Sequence, residues 1–174
     1  MSRPPIQPTN QEVYFDTNDV IVSKTDLKGK IVYANDVFLQ IAGYRESEVI
    51  GQPHNMIRHP DMPRSVFGFL WERIVGGKEV FAYVKNMTKS GDHYWVLAHV
   101  TPSYDESGSI TGYHSNRRVP ERSSVAKVSK LYGEMRRAET VASGPREGLQ
   151  AGRAVLEQAL AAAKQPYDAF VFSV

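Results

Sequence analysis

Apolar and polar residues alternate in five short runs of this chain, and this pattern predicts five β-strands. The first two runs, residues 20–25 and 31–34, are separated by a turn that contains Gly29. Three longer runs follow at residues 80–89, 93–104 and 110–118. The connections between these three runs have the length of hairpin turns, so we expect sequential antiparallel neighbours.

Between the two groups of strands, apolar positions recur at helical spacing. The pattern predicts a helix from Asn35 to Gly43, a short helix over residues 45–49 and a longer helix over residues 64–75. The longer helix places its apolar residues on one face: Val66, Phe67, Leu70, Trp71 and Ile74. This order predicts an α+β domain with an antiparallel sheet and short helices on one face.

The segment that precedes the longer helix is irregular. Residues 51–63 contain Pro53, Pro60 and Pro63, and proline lacks a backbone N–H and restricts the residue before it. We expect a turn or a short helical piece that presents four polar side chains: Asn55, Arg58, His59 and Asp61. Irregular backbone held between regular elements commonly carries binding residues.

The chain changes character after Pro120. Two amphipathic helices are predicted over residues 121–141 and 146–164, followed by an apolar tail at residues 167–174. We expect this helical unit to dock on the sheet, on a second copy or on another protein. The predicted organisation is a flexible N-terminal arm (1–18), an α+β domain (19–119) and a C-terminal helical extension (120–174).

Composition and charge narrow the classes of function. The formal net charge is only +2 and forms no basic stripe, so we expect no nucleic-acid partner. We expect a cytoplasmic protein, because no apolar run is long enough to span a bilayer and the N-terminus does not have the pattern of a signal peptide. The absence of cysteine excludes disulfides, thiolate metal sites and cysteinyl cofactor adducts. No set of nucleophile, base and orienting group stands out, so we expect no enzymatic activity.

Several blocks of the sequence strongly resemble the PAS sensor domain of bacterial aerotaxis receptors. These blocks are residues 51–63 (Gly-Gln-Pro-His-Asn-Met-Ile-Arg-His-Pro-Asp-Met-Pro), the Val84-Lys85-Asn86 triplet and residues 89–96. The resemblance covers roughly residues 19–118 and implies a PAS fold that binds FAD noncovalently and reports redox state or oxygen. Phe81 stands where this family often has tryptophan, and the residues after Arg118 do not match the output segments of those receptors.

The resemblance implies a set of cofactor-binding residues: Asn35, Arg58, His59, Asp61, Phe67, Trp71 and Asn86. A buried Asn86 amide would find a donor and an acceptor on the edge of a flavin ring, whereas the alternative is an asparagine that faces outward. Arg58 and His59 suit the pyrophosphate or ribose of the cofactor, and their alternative is a surface salt bridge with Asp61.

The other members of this set have equally simple structural alternatives. Phe67 and Trp71 share a helix face and would form either core or a cofactor wall, and these two roles are compatible. Asn35 is a helix cap by local reasoning and a cofactor contact by resemblance. Asp61 is expected to orient Arg58 or to cap the following helix rather than to touch the cofactor.

The leading hypothesis is an FAD-containing PAS sensor of redox state or oxygen that signals to a partner protein of a chemotaxis or kinase pathway. Reduction would reorient groups such as Asn86, shift strands 80–118 and reach the helices after Pro120. A homodimer is a further option. The alternatives are a cofactor-free PAS interaction module and a haem b gas sensor in which His59 is the axial ligand.

Overall fold

The computed structural model describes residues 6–174, so the first five residues of the predicted arm lie outside the described residues. The strands are β1 (Ile21–Asp26), β2 (Ile31–Ala34), β3 (Val80–Met87), β4 (His93–Tyr104) and β5 (Ile110–Arg118). The helices are α1 (Asp36–Ala42), α2 (Glu46–Val49), α3 (Arg64–Val75), α4 (Arg122–Val141), α5 (Pro145–Ala163) and α6 (Tyr167–Ser173). A short 3-10 helix occupies His54–Ile57.

The strands form one antiparallel sheet in the order β2-β1-β5-β4-β3. The predicted pairing of the last three strands is confirmed, because β4 pairs with both β3 and β5. β1 pairs with β5 and thereby places Ser23 opposite Ser115. The turn between β1 and β2 requires Gly29, whose φ of +74° is unfavourable for residues with a Cβ. The predicted α+β class with a five-stranded antiparallel sheet is confirmed.

The helices from α1 to α3 pack on one face of this sheet. Asn35 caps α1 as local reasoning predicts, because its Oδ1 accepts the N–H of Phe38 at 3.1 Å. Gly43 ends α1 in the left-handed conformation, with φ of 73°. The core beneath these helices contains large side chains that are fully buried: Ile21, Ile31, Phe38, Val49, Ile57 and Tyr94.

Part of the predicted N-terminal arm lies along the start of β4. The N–H of Val13 donates to the carbonyl of His93 at 2.7 Å, and the N–H of His93 donates to the carbonyl of Gln11 at 2.8 Å. Arg122, the first residue of α4, forms an ion pair with Glu12 at 2.6 Å. This portion of the arm is therefore joined to both the sheet and the C-terminal helices.

α4 and α6 cover the outer edge of β3. The outward carbonyls of an edge strand have no strand partner, so other groups must satisfy them. The hydroxyl of Tyr132 in α4 donates to the carbonyl of Tyr83 at 2.9 Å, and that of Tyr167 in α6 donates to Phe81 at 2.7 Å. The helical extension thus docks on the sheet. Within residues 6–174, no helix combines the length and the apolar character that crossing a membrane requires.

The apolar tail predicted at residues 167–174 is instead the helix α6. Pro166 precedes its first turn, the Tyr167 ring lies 4.4 Å from that of Phe69 in α3, and Val171 is buried. An isolated seven-residue segment is too short to be a stable helix. The packing of α6 on the rest of the protein stabilises this helix, and the local sequence pattern does not reveal such long-range contacts.

Candidate functional site

A cavity of about 410 Å³ lies between the sheet, α3 and the irregular segment before α3. Its size falls within the range that is typical of small-molecule sites. The cavity is apolar over most of its wall and polar at one end. The residues that line it from the sheet are Ser23, Thr25, Val84, Asn86, Ala98, Val100, Tyr113, Ser115 and Arg117.

α3 supplies the apolar wall because its cavity-facing residues recur at helical spacing. These residues are Phe67, Leu70, Trp71 and Ile74. Trp71 is 37% exposed, and its ring meets that of Tyr113 edge to face, with centroids 5.4 Å apart. A Cβ on Gly29 would come within 3.0 Å of the indole, so the β1–β2 turn approaches Trp71 closely. This arrangement places Trp71 at the boundary between cavity and solvent.

Three buried groups on the cavity wall have unused hydrogen-bonding capacity, two at the polar end (Ser115 and Arg117) and one, Asn86, near Arg58 in another part of the wall. Asn86, Ser115 and Arg117 are each less than one-tenth exposed. The Nδ2 of Asn86, the Oγ of Ser115 and the Nη1 of Arg117 have no hydrogen-bond partner among the described residues. Buried polar groups are normally satisfied, and leaving one unpaired costs about 1–3 kcal/mol. Three such groups on the wall of one cavity indicate a ligand with hydrogen-bonding atoms at more than one position.

Arg117 is held in place through its other Nη atom. Nη2 donates to the Oγ of Ser23 at 2.8 Å and lies 2.6 Å from the Nε2 of His54. Burial and the charge of Arg117 lower the pKa of His54 to about 3, so the ring is neutral and Nε2 accepts. Burial lowers the pKa of Arg117 to about 10, so the guanidinium remains charged at neutral pH. The polar end therefore presents a fixed positive charge.

Arg58 belongs to the irregular segment and lies at the mouth of the cavity. Its guanidinium stacks over the Phe67 ring at 4.6 Å from the centroid, and its Nη2 donates to the carbonyl of Met62 at 2.9 Å. The side chain is half-buried, and this burial lowers its pKa. Most of the donors of this guanidinium remain available to an anionic group at the mouth.

Four of the seven predicted cofactor residues line this cavity together: Arg58, Phe67, Trp71 and Asn86. Their contact with a cofactor stays a prediction, because the structure contains no ligand. The fold brings these four residues to the same cavity. Strand β3 brings Asn86 to the inner face of the sheet, and α3 brings the two aromatic rings opposite the sheet.

Asn35 lies outside the lining of the cavity. Its side-chain Oδ1 accepts the N–H groups of Phe38 and Val22 at 3.1 and 2.9 Å. Its Nδ2 donates to the carbonyl of Val20 at 2.8 Å. These three bonds tie α1 to the strand β1, so the side chain acts as a structural link in this structure.

His59 and Asp61 also lie outside the lining of the cavity. His59 is buried, and its Nδ1 accepts the N–H of Asp61 at 3.0 Å. Burial, with a contribution from Lys85, lowers the pKa of His59 to about 4. The carboxylate of Asp61 pairs with Lys85 at 2.9 Å and with Arg136 of α4 at 2.7 Å. These contacts link the irregular segment to β3 and α4.

Sequence reasoning missed Ser23, His54, Ser115 and Arg117 as members of the site. The strand β5 contains polar residues on both of its faces, so alternation does not reveal which face is buried. The available signal was Arg117 itself, a basic residue near the end of a strand whose polar pattern assigns it to neither face. Within residues 6–174, no group of three or more histidine or acidic side chains is arranged to hold a metal ion.

A model of the PAS fold family matches residues 31–117, half of the chain. The chain belongs to the PAS family. The matched span begins at β2 and ends at Arg117 in β5, so it includes α3, the strands β3 and β4, and most of the cavity. The resemblance to the PAS sensor domain of aerotaxis receptors is confirmed by this match together with the similarity to the receptor described next.

Three relatives show how far this PAS protein resembles longer proteins. The aerotaxis receptor of Escherichia coli is 41% identical over 132 residues, which are 76% of this chain and 26% of the receptor. The bacterioopsin transcriptional activator of Halobacterium salinarum is 30% identical over 66% of this chain and 17% of its own length. Phototropin-1A of Oryza sativa is 30% identical over 55% of this chain and 10% of its own length. The chain thus spans about a quarter or less of these relatives.

Solved structures share the fold at lower identity. A light-oxygen-voltage domain from work on a flavin analogue has a TM-score of 0.56 and 22% identity, and the alignment covers 64% of this chain and 84% of that domain. The light-state structure of the blue-light photoreceptor Aureochrome1 LOV has a TM-score of 0.55 and 20% identity, with 67% and 88% covered. These similarities establish the architecture of the PAS domain.

Proposed function

We propose that this PAS protein is an FAD-binding sensor that detects redox state or oxygen and signals to a partner protein by conformational change. The observation that carries the proposal is the cavity wall with its three unpartnered polar groups, Ser115 and Arg117 at the polar end and Asn86 near Arg58. A flavin ring is flat and apolar in its body and has carbonyl and N–H groups along one edge. The cavity offers the complementary arrangement.

The residues fit this group at each part of the cavity. The rings of Phe67 and Trp71 on α3 suit one face of a flat aromatic ligand, and the apolar side chains of the sheet opposite them suit the other face. Asn86 and Arg117 offer donors to ring carbonyls, and the hydroxyl of Ser115 can donate or accept. Arg58 at the mouth suits the phosphate end of the cofactor. The names of two relatives, the aerotaxis receptor and phototropin-1A, are consistent with sensing.

A flavin supplies reversible electron exchange when it is bound. Arg117 would stabilise added negative charge at the ring edge, because its charge is buried and faces no carboxylate in the described network. Asn86 can present either its amide N–H or its carbonyl oxygen by rotation. These two residues would therefore respond when the charge at the ring edge changes.

The signal has a short route to the C-terminal helices. The carboxylate of Glu139 at the end of α4 accepts the N–H groups of Arg64 and Ser65, the first residues of α3, at 3.0 and 2.8 Å. Tyr132 of α4 bonds the edge of β3, the strand that carries Asn86. α4 therefore contacts both α3, which forms the apolar wall of the cavity, and β3, which carries Asn86.

We propose a chemotaxis or kinase pathway component as the partner, since one relative is an aerotaxis receptor and another is a blue-light-activated histidine kinase. The absence of enzymatic activity, a homodimer and the cytoplasmic location stay predictions. The haem alternative gains little support from the site. The ring of His59 lies outside the cavity lining, and the Nε2 of His54 is engaged by Arg117.

The visible absorption spectrum of the freshly purified protein tests the proposal. We expect two flavin bands in the blue and near-ultraviolet, bleaching by dithionite and recovery in air, and FAD in the supernatant after acid release. A colourless protein that fails to take up FAD would overturn the proposal and favour the cofactor-free module. A Soret band would favour haem.

A further inference from the structure

A second cavity of about 250 Å³ adjoins the main one and has a different character. Arg58 lines both cavities, so its side chain stands between them. The second cavity lies between the irregular segment and the end of α4, and its wall includes Arg64 and Arg136. The C-terminal helical extension therefore forms part of a space that opens beside the mouth of the main cavity.

Three guanidinium groups converge on this second cavity, and each retains unused donors. Arg58 gives one donor to the carbonyl of Met62, and Arg136 gives one to Asp61. The Nε of Arg64 lies 3.8 Å from the Glu139 carboxylate, beyond hydrogen-bond distance. Each guanidinium has five N–H donors, so the described contacts use only a small part of the supply.

The acidic groups nearby do not cancel this charge. The Glu139 carboxylate is turned into the first turn of α3, where it accepts two backbone N–H groups and the hydroxyl of Ser65 at 2.6 Å. Asp61 is already paired with Lys85 and Arg136. The four basic and two acidic side chains of this cluster leave a net charge of +2. Two negative charges are what a diphosphate linkage carries.

We infer that the second cavity binds the diphosphate of a dinucleotide whose aromatic ring occupies the main cavity, and that α4 contributes Arg136 to this site. The inference rests on the proposed function and adds a specificity to it. The charge at the mouth favours FAD and FMN over riboflavin, which has no phosphate, and the second phosphate of FAD reaches the part of the site that Arg136 lines, whereas the single phosphate of FMN lies closer to the ring. The C-terminal extension then contacts the cofactor itself and does not act only as a receiver of shifts in the sheet.

The test compares three flavins on two matched variants of α4. Flavin-free protein is titrated with riboflavin, FMN and FAD for wild type, Arg136→Gln and Arg137→Gln, of which Arg137 is an exposed neighbour on the same helix. We expect Arg136→Gln to weaken FAD binding about tenfold, the loss typical of one hydrogen bond to a charged group, with riboflavin affinity unchanged. Arg137→Gln should bind all three flavins as wild type does.

A second measurement separates charge recognition from a general loss of stability. FAD affinity should fall as sodium chloride is raised, while riboflavin affinity stays constant, because only the phosphates interact with the guanidinium cluster. Equal affinity of wild type for FAD and riboflavin would overturn this inference and leave the flavin sensor intact. An equal loss of all three flavins in Arg136→Gln would also overturn it. Failure of wild type to bind any flavin would remove the proposed function as well.

Discussion

Two charged clusters flank α3, and they differ in how completely their charges are paired. The Asp61 carboxylate pairs with Lys85 at 2.9 Å and with Arg136 at 2.7 Å, and the Asp61 side chain is 46% exposed. Around Arg117, a guanidinium that is only 3% exposed has neutral partners and an Nη1 without a hydrogen bond among the described residues. Both clusters contain an arginine and a buried ring or guanidinium nitrogen without a hydrogen bond, since the Nε2 of His59 beside Asp61 also lacks a partner among the described residues. Only the second cluster holds a buried charge without a counter-charge.

This difference supports a structural role for the Asp61 cluster and a ligand-binding role for the Arg117 cluster. Ion pairs near the surface contribute little free energy, and the charges of the Asp61 cluster already have partners. A buried charge without a counter-charge is costly, and proteins retain one where a ligand or a reaction requires it. The cavity beside Arg117 identifies the place from which compensation comes. The aerotaxis-like block 51–63 supplies groups to both clusters, so sequence similarity alone does not separate the two roles.

Removal of the Arg117 charge should have the largest effect on flavin binding. Arg117→Gln should weaken riboflavin and FAD binding by about 10- to 100-fold, since a hydrogen bond to a charged group is worth about 1.5–3 kcal/mol. Isothermal titration of flavin-free protein measures the change. The matched control is Arg118→Gln, because Arg118 is the exposed neighbour on β5 and should bind as wild type does. Equal losses in both variants would mean that general charge, rather than the buried donor, matters.

The pH dependence of stability probes one histidine from each cluster. Burial holds the pKa of His54 near 3 and that of His59 near 4 in the folded protein, below the unfolded value near 6.5. The unfolded chain therefore binds more protons below pH 6.5, and the folded state loses stability as the pH falls. Each histidine should remove about 2 kcal/mol between pH 7 and pH 5.

Urea unfolding of flavin-free protein at pH 7, 6 and 5 checks this prediction. Carboxylates begin to titrate mainly below this range, so the histidines dominate the change. His54→Gln and His59→Gln should each reduce the change by about 2 kcal/mol, and the remainder includes His93 and His114, whose pKa values burial also lowers. A wild-type stability that is constant between pH 7 and pH 5 would show that neither ring is kept neutral by burial.

Replacement of the Asn86 amide should have a smaller effect than loss of the Arg117 charge. Asn86→Ala removes a neutral donor, so we expect flavin affinity to fall about five- to tenfold, corresponding to about 1–1.4 kcal/mol. Asn116 of β5 lies on the other face of the sheet, opposite His99, and Asn116→Ala is the control. Competition with a fluorescent flavin measures both affinities. A retained affinity in Asn86→Ala would remove this residue from the ring edge.

The smallest effect is expected at the paired cluster. Asp61→Asn leaves Lys85 and Arg136 without their counter-charge. Arg136 is 43% exposed and remains hydrated, whereas the Lys85 side chain is only 13% exposed, so the free energy of unfolding should fall by about 1 kcal/mol. Riboflavin affinity should change less than in Arg117→Gln. Urea unfolding and riboflavin titration are the measurements. If riboflavin binding were lost in a folded Asp61→Asn protein, the paired cluster would belong to the ring site after all.

Local chemistry predicted the parts of the fold that depend on single residues. The turn at Gly29, the cap at Asn35 and the stop at Gly43 each follow from a conformational preference that acts over a few residues. The resemblance pointed to Asn86 and Arg58, and the structure places both on the cavity wall. These are cases in which the residue type and its near neighbours carry the information.

The polar end of the cavity could not be predicted in the same way. Ser23 meets Arg117 only because β1 pairs with β5, a contact between residues that are 94 positions apart. The sequence of β5 has polar residues on both faces, so it does not indicate that Arg117 is buried. The helix α6 also depends on tertiary contacts, since Tyr167 and Val171 pack on distant elements. Long-range register, rather than local preference, decides these features.

A crystal structure of the protein with FAD would show directly whether Arg117 and Asn86 bind the flavin ring. We expect the ring to lie in the main cavity, with the Nη1 of Arg117 and the Nδ2 of Asn86 each within about 2.7–3.2 Å of an acceptor atom of the flavin. A ring that binds elsewhere, or one whose apolar side faces Arg117 and leaves Nη1 unpaired, would show that Arg117 does not bind the flavin ring.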